Sequence, residues 1–192
     1  MIDIFSALKL HCGDYDKREK RASEPIASSS TLPISDSLEA WLRSCGADDI
    51  EIPWVAEQLT IFGAQNFFDH QMGYRVSPQD RQTLLASWPR QLVCIAELTG
   101  DPIMVSCELT DTNVYAARHG RGFWKPFKIA SSLSVFSTEL QTWCETYFVR
   151  FKADILDDTY AIKTEFVEIL EEELSKICSH EDVHGFMELV KD

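Results

Sequence analysis

The chain has 192 residues, 45% of them hydrophobic, and a formal net charge of −13. That length suits one domain with additions, and that apolar content can fill a sizeable core. The acidity argues against nucleic-acid or membrane partners, because phosphate backbones and anionic lipid repel it, and it is compatible with a basic protein partner.

In chain order, Ile4, Phe5 and Leu8 give residues 2–10 one apolar side, as in a short helix. Residues 13–31 are polar, with Lys17, Arg18, Lys20 and Arg21 alternating with Asp16 and Glu19 before Ser28-Ser29-Ser30, and they read as a linker. A helix is expected over Ser35–Cys45, with Leu38, Trp41 and Leu42 inward and Gly46 as its stop. Glu51–Trp54 reads as a strand, while Val55–Ile61 fits strand or helix. Ser77, with Pro78 next and Asp80 three residues on, signals a helix start, so a short helix is expected over Arg81–Ser87.

Four apolar runs follow: Leu92–Leu98, Ile103–Leu109, Val114–His119 and Phe123–Ile129. Each has strand length and ends in turn residues: Thr99-Gly100-Asp101-Pro102, Asp111-Thr112-Asn113 and Gly120-Arg121-Gly122. This is the pattern of consecutive antiparallel strands. The period then lengthens. Leu133, Phe136, Leu140, Trp143, Cys144 and Tyr147 form one face of a helix over 132–151, capped by Ser131 or Ser132. After a break at Asp157-Asp158-Thr159, Phe166, Ile169, Leu170, Leu174 and Ile177 mark a second C-terminal helix. Ser179 with Asp182 restarts a third, which packs through Val183, Phe186, Met187 and Val190. The expected fold is α+β: an antiparallel sheet of four to six strands with helices around it. Residues 1–31 are expected as a helix and linker, 32–150 as the main domain, and 151–192 as an acidic helical extension packed on it.

Three stretches of this pattern carry a family resemblance. They are Leu32-Pro33 with Leu38–Gly46, the strand and turn Ile95–Pro102, and Val114-Tyr115 through His119-Gly120 to Trp124 ahead of the helix. In that order and spacing, over about residues 30–145, the chain resembles the SUKH superfamily. Cys45-Gly46-Ala47 stands where that family usually has a double glycine. The resemblance implies an α+β domain used mostly in bacteria, widely as immunity proteins of polymorphic toxin systems and also as regulators.

Catalytic and metal chemistry find little footing. His180 and His184 share a helix face, but a zinc site needs three or four ligands, and they read as surface histidines. His119 reads as a turn histidine, and Asp101 as a residue bonding its own turn backbone. Gly120-x-Gly122 lacks the rest of a dinucleotide loop. Cys12, Cys45, Cys94, Cys107, Cys144 and Cys178 show no Cys-x-x-Cys spacing, and those within strands or helix read as buried thiols. No catalytic residue, metal or cofactor is expected.

A binding surface remains. Leu92, Cys94, Ala96 and Leu98 alternate with Val93, Ile95 and Glu97, while Ile103, Val105, Cys107 and Leu109 alternate with Met104, Ser106 and Glu108. The mixed face, with Glu97, Glu108, Tyr115 and Arg118, is either the open side of the sheet or covered by the C-terminal helices. Glu97, Glu108 and Asp111, with Tyr115 and Trp124, are the expected contacts for a protein partner, a basic toxin domain. From Leu133 onward, 14 acidic residues face 5 basic ones, so Glu171, Glu172 and Glu173 form a competing acidic surface. The functional expectation is a non-catalytic immunity protein. The alternative is a regulatory or scaffolding domain of the same fold. No stretch approaches the roughly 18 apolar residues of a membrane span, and Met1–Phe5 lacks the start of a signal peptide, so a cytoplasmic location is expected.

Overall fold

The computed structural model describes residues 32–107, 113–120 and 123–191. The expected N-terminal helix and linker, and Glu108 and Asp111, lie outside the described residues. Helix α1 spans Asp36–Cys45. The Ser35 Oγ accepts from the Leu38 N–H at 3.2 Å, and Gly46, at φ 93°, ends the helix by donating its N–H to the Leu42 carbonyl. Strands β1 (Ile50–Trp54) and β2 (Glu57–Ile61) form a hairpin through Val55-Ala56, which settles the ambiguous segment as strand.

Residues 62–91 form turns and one 3₁₀ helix, Asp69–Gln71. The helix expected over Arg81–Ser87 is absent. The Asp80 carboxylate accepts from the Gln82 and Thr83 N–H groups at 3.0 and 2.9 Å, Arg81 takes φ 57°, and the Ser77 N–H donates to the Thr83 carbonyl. The acidic side chain that was read as a helix-start signal instead takes the backbone donors a helix would use, and it curls the chain into a turn.

The meander continues as β3 (Leu92–Leu98), β4 (Asp101–Ser106), β5 (Val114–Ala116) and β6 (Phe127–Ala130). All six strands make one antiparallel sheet in chain order. Thr99 (φ 48°) and Gly100 (φ 92°) form a two-residue turn that pairs Leu98 directly with Asp101, so β4 starts two residues earlier than its apolar run. The even alternation read along β3 is interrupted. Cys94 pairs with Met104 and Ala96 with Ile103, leaving Ile95 as a bulge. Leu92 and Cys94 therefore share the face of Met104, while Ala96 and Leu98 share that of Ile103.

Helix α2 (Leu133–Cys144), capped by Ser132, runs into a π-helical stretch, Glu145–Arg150. Helices α3 (Thr164–Ser175) and α4 (His180–Lys191) follow. The Ser179 Oγ accepts from the Asp182 N–H and donates to the Asp182 carboxylate, the start signal read from the sequence. The helices share one aromatic core with the sheet. Trp54 of β1 stacks on Trp143 of α2 at 4.1 Å and meets Phe186 of α4 edge-on, and Trp143 also meets Phe166 of α3. Trp143 Nε1 donates to the Pro53 carbonyl at 3.0 Å. Pro53 has no N–H, so this edge strand offers few free groups to another strand. Among the described residues, no helix is long and apolar enough to cross a membrane.

Candidate functional site

The expected binding face has a cover that the sequence did not reveal. Register places Glu97, Pro102, Met104 and Tyr115 on one face, opposite the α-helices. The segment 62–91 lies over it. Tyr74 donates its hydroxyl proton to Glu97 at 2.7 Å, and its ring meets Trp88 and Trp124 at 5.8 and 5.9 Å. Burial and the bond to Glu97 push the Tyr74 phenol well above its ordinary value, so it stays a donor. Met104 is buried, and Glu97, Tyr115 and Trp124 are half-buried. The structure joins Glu97 to Trp124 through Tyr74, with both half-buried. Glu108 and Asp111 are not among the described residues.

The same segment finishes the sheet where β2 stops. The Gln71 side chain accepts from the Cys94 N–H at 3.1 Å and donates to its carbonyl at 2.8 Å. Buried Arg75 donates to the carbonyls of Arg90 and Leu92, and Trp88 Nε1 also donates to Leu92. Side chains here replace a missing strand.

The chemistry-bearing residues meet at the other end of the sheet. Asp101, at the start of β4, accepts from Arg118 Nη1 at 2.9 Å and from the His119 N–H at 2.7 Å, and it pairs with His119 Nδ1 at 2.5 Å. Burial raises its pKa, but these bonds outweigh burial and hold the carboxyl below its ordinary value. Asp101 thus reaches across the sheet and does not bond its own turn. Arg118 also lies over the Phe127 ring at 5.7 Å and belongs to this cluster rather than to the mixed face. The constellation could have been read from the sequence only by placing β5 against β4, because its members stand 17 and 18 residues apart.

This cluster borders a groove of about 630 Å³. Its walls come from the β1–β2 turn (Val55, Ala56), Leu98, the segment Ala161-Ile162 and the end of α4, with Trp54, Glu57 and Lys191 also lining it. The volume and apolar walls suit a bound side chain or small ligand. An Asp–His pair can orient an imidazole for proton transfer, but among the described residues no serine, threonine or cysteine lines the groove to act as nucleophile.

Elsewhere, His180 and His184 line a shallow groove between α3 and α4, and the described residues contain no group of three or more His, Cys, Asp or Glu that could hold a metal ion. Cys45, Cys94 and Cys144 are buried, Cys107 and Cys178 half-buried, and all five are unbridged. Burial raises the Cys94 thiol well above its ordinary pKa, which keeps it unreactive. No family model matches the chain, and no curated protein or solved structure matches it.

Proposed function

We propose that the chain is a non-catalytic immunity protein, which binds a cognate bacterial toxin of the nuclease or deaminase kind in the cytoplasm and occludes its active cleft. The observation that carries this reading is the succession from α1 to α2: a helix stopped at Gly46, a meander turning at Thr99-Gly100, a last strand pair and a helix capped by Ser132. It is the order on which the SUKH resemblance rests.

The charge distribution supplies a means of recognition. Glu97 is engaged by Tyr74, so attraction to a basic toxin passes to the outer side of α3, where Glu165, Glu168, Glu171 and Glu172 are exposed. Exposed like charges raise the association rate with an oppositely charged partner, and salt screens them. The test is co-expression with the toxin encoded beside this gene. A stoichiometric complex in which the toxin is inactive is the expected result. A toxin that stays active beside an excess of this chain overturns the reading and favours a regulatory role.

A further inference from the structure

The three turns around the groove share an unusual backbone feature. Val55 (φ 46°), Thr99 (φ 48°) and Tyr160 (φ 63°) all lie in the left-handed region. Two of them are β-branched and the third is bulky, and such residues rarely adopt this conformation. Strain of this kind gathers at binding and clamping sites.

Tyr160 adds a second observation. Its ring is among the most exposed large side chains at 84%, yet its backbone is pinned. Asp157 Oδ1 accepts from the Thr159 and Ala161 N–H groups at 2.8 and 3.1 Å, and the Tyr160 N–H donates to the Asp157 carbonyl. An aromatic ring presented to solvent on a fixed turn loses little freedom on binding, as interface anchors do.

Charge selects the occupant. Among the described residues, the groove's two Lys or Arg side chains already hold carboxylates: Arg118 holds Asp101 at 2.9 Å, and Lys191 holds Glu171 at 3.2 Å. Among the described residues, Glu57 in the groove and Asp158 beside Tyr160 have no ion pair. Uncommitted charge here is negative, next to the apolar walls of Val55, Leu98 and Ile162 and an exposed aromatic face. We infer that this groove takes an extended segment of a basic protein partner, with an aliphatic side chain in the groove and flanking Lys or Arg residues on Glu57 and over the Tyr160 ring. This places the contact at the turn end of the sheet, on the face opposite Glu97, and it rests on the reading of a basic protein partner.

The test is an amide NMR titration of the full chain with two capped pentapeptides, Gly-Arg-Leu-Arg-Gly and Gly-Glu-Leu-Glu-Gly. The basic peptide should shift Val55, Ala56, Ala161 and Ile162 saturably. Glu57→Gln and Tyr160→Ala should each weaken it at least fivefold with the spectrum otherwise unchanged, while Glu168→Gln on α3 should not. No saturable shift at millimolar peptide, equal shifts from both peptides, or shifts centred on α3 overturn the inference. Toxin binding separates the two proposals. A toxin held as tightly by Glu57→Gln/Tyr160→Ala as by the parent chain removes the groove and leaves the immunity reading. Saturable binding of the basic peptide by a chain that captures no toxin keeps the groove and removes the immunity reading.

Discussion

Glu139 on α2 and Asp182 on α4 are two buried carboxyl groups that share one interior. Glu139 is 0% exposed, and neither of its carboxylate oxygens has a hydrogen-bond partner among the described residues. Asp182 accepts from the hydroxyls of Ser131 and Ser179, and Lys128 Nζ lies 3.9 Å from its other oxygen. Burial, and then the charge of Asp182, lift the Glu139 pKa from 4.5 to about 9. Burial and both carboxyls also raise the Cys178 thiol to about 11. Glu139 is therefore held neutral at pH 7.

Glu139 makes stability fall with pH. Between 4.5 and about 9 the folded chain keeps a proton that the unfolded chain has released, so each pH unit in that window removes stability, and the loss levels off above about 9. The full effect is of order 1 kcal/mol per pH unit. Glu139→Gln carries no titrating carboxyl there, so it should match the parent chain near pH 4 and exceed it by roughly 3 kcal/mol at pH 7–8. Thermal unfolding across this range reads the difference directly. Parallel curves for the two proteins would show that Glu139 ionises freely.

Gln71 stands in for a strand, and its loss should be costly. Gln71→Ala leaves the N–H and C=O of Cys94 buried without the partners they have now. Each orphaned group costs about 1–3 kcal/mol, so a loss of about 2–4 kcal/mol is expected in denaturant unfolding. Gln71→Glu restores only the acceptor and should recover little.

The sheet and its helices were legible because their signals are local. Leu92–Leu98 is a strand as its composition says, Ser35, Ser132 and Ser179 cap helices, and Gly46 ends one. The segment 62–91 was not legible, because it is ordered by long-range bonds such as Gln71 to Cys94 and Tyr74 to Glu97, each 23 residues apart. That segment also decides which face is covered, and it leaves Glu97 and Trp124 half-buried beside Tyr74. The bulge at Ile95 was hidden because both of its neighbouring faces are apolar. Glu139 sits three residues after Phe136 on the buried side of α2, a position that helical spacing marks as inward. The groove was out of reach, since it joins turns far apart in the chain.

Asp49 and His70 form a staple that should add a second pH dependence. His70 Nε2 lies 2.8 Å from Asp49 Oδ2, its ring stacks on Phe62 at 4.0 Å, and Asp49 Oδ1 accepts from the Gly63 N–H. The bond to Asp49 outweighs burial and raises the His70 pKa, with further help from Glu97 and Asp69. The stabilisation is full below pH 6.5 and is lost as pH rises through the raised value. His70→Gln should therefore cost about 1 kcal/mol near pH 6 and less at pH 8, while Asp49→Asn should reproduce the loss. A His70 ring whose NMR titration shows a pKa at or below 6.5 would contradict the staple.

Two glycines mark places where the backbone is too close for any side chain. A Cβ on Gly63 would lie 2.3 Å from the Ala47 carbonyl oxygen, and one on Gly185 of α4 would lie 2.3 Å from the Lys128 carbonyl oxygen of β6. Both obstacles are backbone atoms, which cannot rotate away. The two sites hold different joints. Gly63 locks the chain after β2 against the loop after α1, where the Ala64 and Gln65 N–H groups donate to the Gly46 and Ala47 carbonyls. Gly185 lets α4 lie on β6. Gly63→Ala and Gly185→Ala should each destabilise by about 1–3 kcal/mol or more. Hydrogen exchange tells them apart. Gly185→Ala should release protection along α4 while Leu92–Leu98 stays slow, because the helix can lift without opening the sheet. Gly63→Ala should speed exchange at Ala64, Gln65 and the β2–β3 pairing. Unchanged protection of α4 in Gly185→Ala would mean that the helix sits farther from β6 than this packing requires.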